Sequence, residues 1–273
     1  MRSLKSLLRA VAGSVVPFAG VVLAFAAAGP TGPERVSIGD GNAVPDGPAY
    51  EGSVTGNGRY VAFYSSATNL LPNSGNSTED VFVRDRKKGT TALASPNIVD
   101  GGEGNGDSQY PVLSDNGRFV LFYSSATDLV SGDDEENTDV FLTDMKTGQV
   151  TRITEDGAGD GGDSNGDIWG TALSKNGRYI TFRSSAGNLV GAGNDLDGAG
   201  GNGNDVFRYD VKKEFLSLLS KLADGTDGDN SSHTWGACLS SNGKYIVFAS
   251  SASIFDSGGA DNADDTFLLK LGK

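Results

Sequence analysis

Asp115-Asn116-Gly117-Arg118-Phe119-Val120-Leu121-Phe122-Tyr123-Ser124-Ser125-Ala126 decides the fold, because the chain carries this pattern four times. Its counterparts begin Gly56-Asn57-Gly58-Arg59-Tyr60, Lys175-Asn176-Gly177-Arg178-Tyr179 and Ser241-Asn242-Gly243-Lys244-Tyr245. The Asn-Gly pair supplies the positive φ that a tight hairpin turn demands. The aromatic and β-branched run behind it predicts a strand. Each copy goes on to a Ser-Ser-Ala (65–67, 124–126, 184–186, 250–252), a polar loop, and an Asp that opens another strand at Asp80, Asp139, Asp205 and Asp265.

The second copy reads as four strands. Pro111-Val112-Leu113-Ser114 is strand A and Arg118 to Tyr123 is strand B. Asp139 to Asp144 is strand C, and Gln149 to Thr154 is strand D behind the turn Lys146-Thr147-Gly148. Four antiparallel strands, repeated along the chain, predict an all-β fold, a β-propeller of four four-stranded blades. One such sheet cannot bury both of its faces, so neighbours must stack. The blades are expected at about 50–95, 107–154, 167–220 and 233–271. The fourth copy has no strand D after Asp265 to Leu271. Glu34-Arg35-Val36-Ser37 matches the D strands Thr151-Arg152-Ile153-Thr154 and Ser217-Leu218-Leu219-Ser220 and is expected to complete it. Four blades is the low end of the usual range of about 4–8. The alternative is a homodimer in which two chains form one larger ring.

The pattern Ser-x-Asn-Gly-Arg-Tyr-x-x-Phe, then Ser-Ser-Ala, then Asp-Val-Phe-x-x-Asp, resembles the TolB-like (WD40-like) β-propeller repeat of bacterial exported proteins. The resemblance runs over roughly residues 34–273. It implies the propeller fold and does not imply TolB's own role, because propellers host many functions. The fourth copy departs from it at Lys270, where the others have Asp85, Asp144 and Asp210.

The first residues agree with export. Arg2, Lys5 and Arg9 precede a stretch of small and apolar residues from Ala10 to Ala28, which ends in small-x-small cleavage patterns. Residues 1–28 are expected to be a signal peptide and 29–33 a linker, with a periplasmic or secreted destination. The length of the apolar run leaves an uncleaved membrane anchor as the alternative. With 22 Lys+Arg against 35 Asp+Glu, the net charge is −13, which repels phosphate backbones and argues against nucleic acid as a partner. The single cysteine, Cys238, permits no intrachain disulfide.

Propeller topology puts the A–B and C–D hairpins on one face and the B–C and D–A loops on the other. Most of the acidic residues fall in the second set. The first reading of these loops is a solvated acidic face that keeps an exported protein soluble. The alternative is calcium as a cofactor, with Asp133, Asp134, Asp195, Asp197 and Asp205 as candidate ligands among Gly and Asn residues. An aromatic residue precedes each A strand: Tyr50, Tyr110 (one position later than its counterparts), Trp169 and Trp235. Together with His233, the only histidine, these are candidate ligand-binding residues; the competing reading is core packing between blades. No nucleophile-elbow motif occurs, and no residue is assigned a catalytic role. The expected function is a non-catalytic binding module for a protein, peptide or glycan. The alternatives are a glycan-active hydrolase or lyase on the same scaffold, and a structural envelope protein.

Overall fold

The structure, a computed structural model, describes residues 32–72, 75–133, 137–155, 168–190, 204–221, 232–233, 238–251 and 265–271. The expected signal segment lies outside them. The chain divides into Met1–Glu34 and Arg35–Lys273, and the second unit carries the repeats. Among the described residues no helix is long and apolar enough to cross a membrane.

The four copies are four antiparallel sheets, and the fold is a β-propeller. The first blade is β1 (Ala49–Val54), β2 (Tyr60–Ser65), β3 (Asp80–Asp85) and β4 (Thr90–Leu93), paired in that order. The second is β5 (Ser108–Leu113), β6 (Phe119–Ser124), β7 (Asp139–Asp144) and β8 (Gln149–Arg152). The third is β9 (Ile168–Leu173), β10 (Tyr179–Ser184), β11 (Asp205–Asp210) and β12 (Phe215–Leu218). The fourth holds β13 (Ser232–His233), β14 (Tyr245–Ser250) and β15 (Asp265–Lys270), three strands among the described residues.

Strands B and C form the aromatic centre of each blade. Phe63 pairs with Phe82, Phe122 with Phe141, Phe182 with Phe207, and Phe248 with Phe267, at ring separations of 5.4 to 5.9 Å. The faces of the sheets then bury one another. Ala62, Tyr64 and Val83 of the first blade pack with Val120, Phe122 and Phe141 of the second. Leu121, Val140 and Leu142 of the second pack with Ile180, Phe182 and Phe207 of the third. Blade-to-blade contacts run through strand A: β5 lies against β1, β2 and β3, β9 against β5, and β13 against β11, so the A strands converge on the inner side of the array.

The repeated polar residues hold these elements together. Asp80, Asp139 and Asp205 are buried at the start of strand C, and each accepts the hydroxyl of strand D: Ser95 (2.8 Å), Thr154 (2.5 Å) and Ser220 (2.5 Å). The same hydroxyls accept the backbone N–H of Val81, Val140 and Val206. The first serine of Ser-Ser-Ala closes the other strand end: Ser65, Ser124 and Ser184 accept the N–H of Ala67, Ala126 and Ala186. On the hairpin face Arg59, Arg118 and Arg178 grip Asp85, Asp144 and Asp210 bidentately. The fourth blade has Lys244 and Lys270 at those two positions.

The expected closing strand at 34–37 differs. Residues 33–39 are not a strand, and this part of the chain is bonded to the first blade instead. The Thr91 hydroxyl donates to Ile38 O (2.5 Å), Arg84 Nη1 donates to Ile38 O (3.4 Å), and Asp40 N–H donates to Leu70 O (3.1 Å). These bonds set residues 38–40 against the first blade, on the side where Thr143 of the second blade donates to Ala94 O of the first. Among the described residues β15 pairs with β14 alone.

Candidate functional site

The inner strands each carry a bulge. The register of β1 against β2 shifts between Tyr50 and Ser53, that of β5 against β6 between Gln109 and Val112, and that of β9 against β10 between Trp169 and Ala172. A bulge re-aims side chains and recurs next to functional sites. Two of the three are built on glycine, Gly52 and Gly170 (φ 63°). The second is built on Tyr110, which stands at φ 54°. Left-handed backbone in a bulky side chain is a true outlier, and such strain concentrates at functional positions.

Tyr110 is 56% exposed and sits in a row of four tyrosines. Tyr50 stacks on Tyr64 with ring centres 5.0 Å apart. Tyr64 meets Tyr110 at 5.6 Å, and Tyr110 meets Tyr123 edge to face at 6.3 Å. Tyr123 is fixed across the next blade boundary, its hydroxyl accepting Thr171 N–H at 3.2 Å. Burial pushes the Tyr123 phenol up, so it stays neutral at ordinary pH. Beyond it, the Arg183 guanidinium lies 4.9 Å over the Trp169 ring, a cation–π pair. Tyr50 and Tyr64 lie at the loop ends of β1 and β2, so the row lines the inner side of the face that bears the B–C and D–A loops. At its edge the Gln109 amide donates to the Glu79 carboxylate.

Tyr50, Tyr110 and Trp169 are all partly exposed on the inner strands. Strand pairing sets the equivalences. Tyr50 pairs with Tyr64, Gln109 with Tyr123, Trp169 with Arg183, and His233 with Ala249. His233, not Trp235, is the fourth-blade counterpart of Tyr50, and Tyr110 is the bulge residue of its strand. The His233 side chain and all of Trp235 lie outside the described residues. Sequence reading missed Tyr64 and Tyr123. Their signal was present: both immediately precede Ser-Ser-Ala at the end of strand B.

The acidic loops have a structural explanation at many positions. Asp46 accepts both the N–H and the hydroxyl of Thr68, which holds its carboxyl below the usual range. Asp107 accepts Glu79 N–H, Asp128 accepts Asn105 N–H, and Glu103 accepts the N–H of Gly75 and Asn76. These bonds tie D–A loops to B–C loops. Of the candidate calcium ligands, Asp133 is buried against Arg152 Nη1 at 3.1 Å, and Asp205 is the buried partner of Ser220. Asp134, Asp195 and Asp197 lie outside the described residues. No cluster of three or more His, Cys, Asp or Glu fit to hold a metal occurs among the described residues.

Two clefts open between blades on the opposite, hairpin face. One of about 400 Å³ lies between Arg118 and Arg178, and one of about 460 Å³ between Tyr60 and Arg118. Neither includes the tyrosine row. Their carboxylates Asp144 and Asp85 are clamped by Arg118 and Arg59, an arrangement that holds strands together and leaves no poised acid–base pair at these two groups.

No protein-family model matches the sequence, and no curated protein does. Among solved structures, the β-propeller domain of the Trilobed protease from Pyrococcus furiosus is similar over 83% of this chain and 56% of its own, at 11% identity and a TM-score of 0.47. The tricorn protease is similar over 72% of this chain and 15% of its own, at 14% identity and a TM-score of 0.44. A TolB protein from Agrobacterium tumefaciens is similar over 63% of this chain and 48% of its own, at 18% identity and a TM-score of 0.37. The chain thus spans little more than half, or less, of each of these proteins. The blade architecture stands on the internal repeats and the strand pairing described above.

Proposed function

We propose that this chain is an exported binding module of the TolB-like repeat type, and that it holds its ligand across the tyrosine row on its inner strands. The observation that carries the reading is Tyr110. The bulge asks for left-handed backbone, which the third blade supplies with Gly170 at φ 63°; the second blade places Tyr110 there at φ 54°, and what the tyrosine adds is a ring held in solvent. Flanked by Tyr64 and Tyr123, it presents an amphipathic surface with apolar ring faces and hydroxyl edges. A net charge of −13 disfavours anionic polymers, so a neutral glycan is the ligand class proposed. Stacking of sugar rings on tyrosine, with Gln109 at the edge as a hydrogen-bonding group, is the mode of recognition.

The test is a screen of the purified protein on glycan and peptide arrays, repeated with Tyr110→Ala. Neutral glycans bound by the parent and lost in the variant support the proposal. Hits confined to peptides, but still lost in the variant, keep the site and change the ligand class. Hits that the variant retains in full remove the tyrosine row as the binding surface.

A further inference from the structure

The blades of this chain meet in one way three times. The Tyr60 ring covers the turn glycine Gly117, Phe119 covers Gly177, and Tyr179 covers Gly243. The turns are also linked along the series, Asp115 N–H donating to Lys175 O (2.8 Å) and Lys175 N–H to Ser241 O (3.1 Å). Tyr245 is next in the row, but it is 39% exposed. Gly58, the remaining turn glycine, has no ring against it among the described residues; the nearest group there is Arg86 Nη1, 3.3 Å from where its Cβ would stand.

The rest of that sheet face is open as well. Leu268 is 68% exposed, whereas its counterparts Val83 and Leu142 are buried by the following blade. Val247 is exposed where Ala62 and Leu121 are buried. On the first blade, Val54 is 62% exposed where Leu113 of the second is buried. Asp265 is exposed too, while Asp80, Asp139 and Asp205 are buried under strand D hydroxyls. The described residues therefore expose one free trailing face and one free leading face, the two halves of an interface the chain already uses three times.

We propose that a second copy of this chain fills both. The fourth blade of one copy docks on the first blade of the other, Tyr245 lying over the partner's Gly58. The partner's Glu34–Ser37 segment completes the sheet of β13, β14 and β15, with the hydroxyl of the partner's Ser37 on Asp265. If four such steps made a full turn, Tyr245 would already cover Gly58 of its own chain. It does not, so the four blades leave this seam open, and further blades that fill it would repeat the same interface. Two chains give eight, within the usual range of about 4–8 blades. The seam is heterologous, but two identical seams related by a two-fold axis close the ring and leave no end to polymerise. Residues 38–40 are bonded to the first blade, so the closing segment and the face it accompanies arrive as one unit.

Disulfide trapping tests this directly. Ser37→Cys and Asp265→Cys are combined in a Cys238→Ser background and oxidised. The expected product is a covalent two-chain species that reduction separates into single chains. A one-chain species with an internal crosslink would show the four blades closing on themselves and overturns the proposal. Light scattering on the unsubstituted protein should give the two-chain mass, and Tyr245→Glu with Leu268→Glu should give the one-chain mass. Both residues are exposed, so the variant's circular dichroism should match the parent's. A one-chain mass for the unsubstituted protein at every concentration tested sinks the idea.

Discussion

The ring of Tyr60 occupies the space a side chain at Gly117 would need: a Cβ there would stand 2.2 Å from Tyr60 Cδ2. The turn also needs φ 69° at that position. Gly117→Ala therefore meets two penalties, a left-handed backbone and an overpacked blade interface. Together these amount to about 2–5 kcal/mol of lost stability. Gly148, at φ 78° with nothing within 4 Å of its Cβ position, isolates the first penalty. Gly148→Ala should cost only about 1–2 kcal/mol. Urea midpoints of the two variants check the difference; equal losses would mean that the Tyr60 contact yields without cost.

Asp80 predicts a pH dependence. Burial pushes its carboxyl from 3.8 up to about 7, against the smaller opposing effect of the Ser95 hydroxyl. Between those values the folded chain holds a proton that the unfolded chain has released. Stability contributed by this group must then fall as pH rises from about 4 to 7, and stay low above that. Asp80→Asn keeps an acceptor for Ser95 and removes the ionisation, so its stability should be flatter across that window. Asp85, held down at about 2 by Arg59, acts in the opposite sense and only below pH 4, so it does not confound the comparison. Denaturant midpoints at pH 5 and pH 8 decide the matter, and a variant that falls as steeply as the parent rules Asp80 out.

Lys244 and Lys270 mark a missing clamp. In the other blades Arg and Asp stand at these positions with contacts of 2.6 to 3.0 Å between Nη2 and Oδ2. Lys244→Arg combined with Lys270→Asp should install a fourth clamp. An exposed bidentate pair contributes about 0.5–1 kcal/mol, weakened by salt. A small rise in melting temperature at low salt that shrinks at high salt is expected. No rise at low salt would show that the fourth hairpin does not reach the geometry of the others.

The blade was legible because period-two strands, Asn-Gly turns and a fourfold repeat all encode the same local geometry. The site was legible only in part, and the particular residues show why. Aromatic type alone picked out Tyr50, Tyr110 and Trp169, yet counting along the sequence misassigned the fourth member. The bulges at Gly52, Tyr110 and Gly170 break the period of two, and cross-strand pairing, not spacing, identifies His233 as the equivalent of Tyr50. Acid composition placed carboxylates on the loop face but could not distinguish a ligand from a fastener. Asp107 and Glu103 hold loop N–H groups, and Asp205 is buried under Ser220, because each lies beside a donor that is distant in sequence. The N-terminal segment matched a strand D by residue type. Its carbonyl at Ile38 is instead engaged by Thr91 and Arg84.

Tyr110 separates stability from binding more cleanly than any other position. Its left-handed backbone costs about 1–2 kcal/mol in a non-glycine residue. Its ring contacts with Tyr64 and Tyr123 return about 0.5–1.5 kcal/mol each. Tyr110→Gly removes both, so the melting temperature should move little in either direction. Ligand binding should fall at least about tenfold, the loss of one good ring contact and the area it covers. Tyr110→Phe retains the ring and the strain and should bind within a few-fold of the parent. A large drop in stability for Tyr110→Gly would assign the ring to the packing of the first two blades. Unchanged stability with lost binding is the result that a strained, exposed binding residue must give.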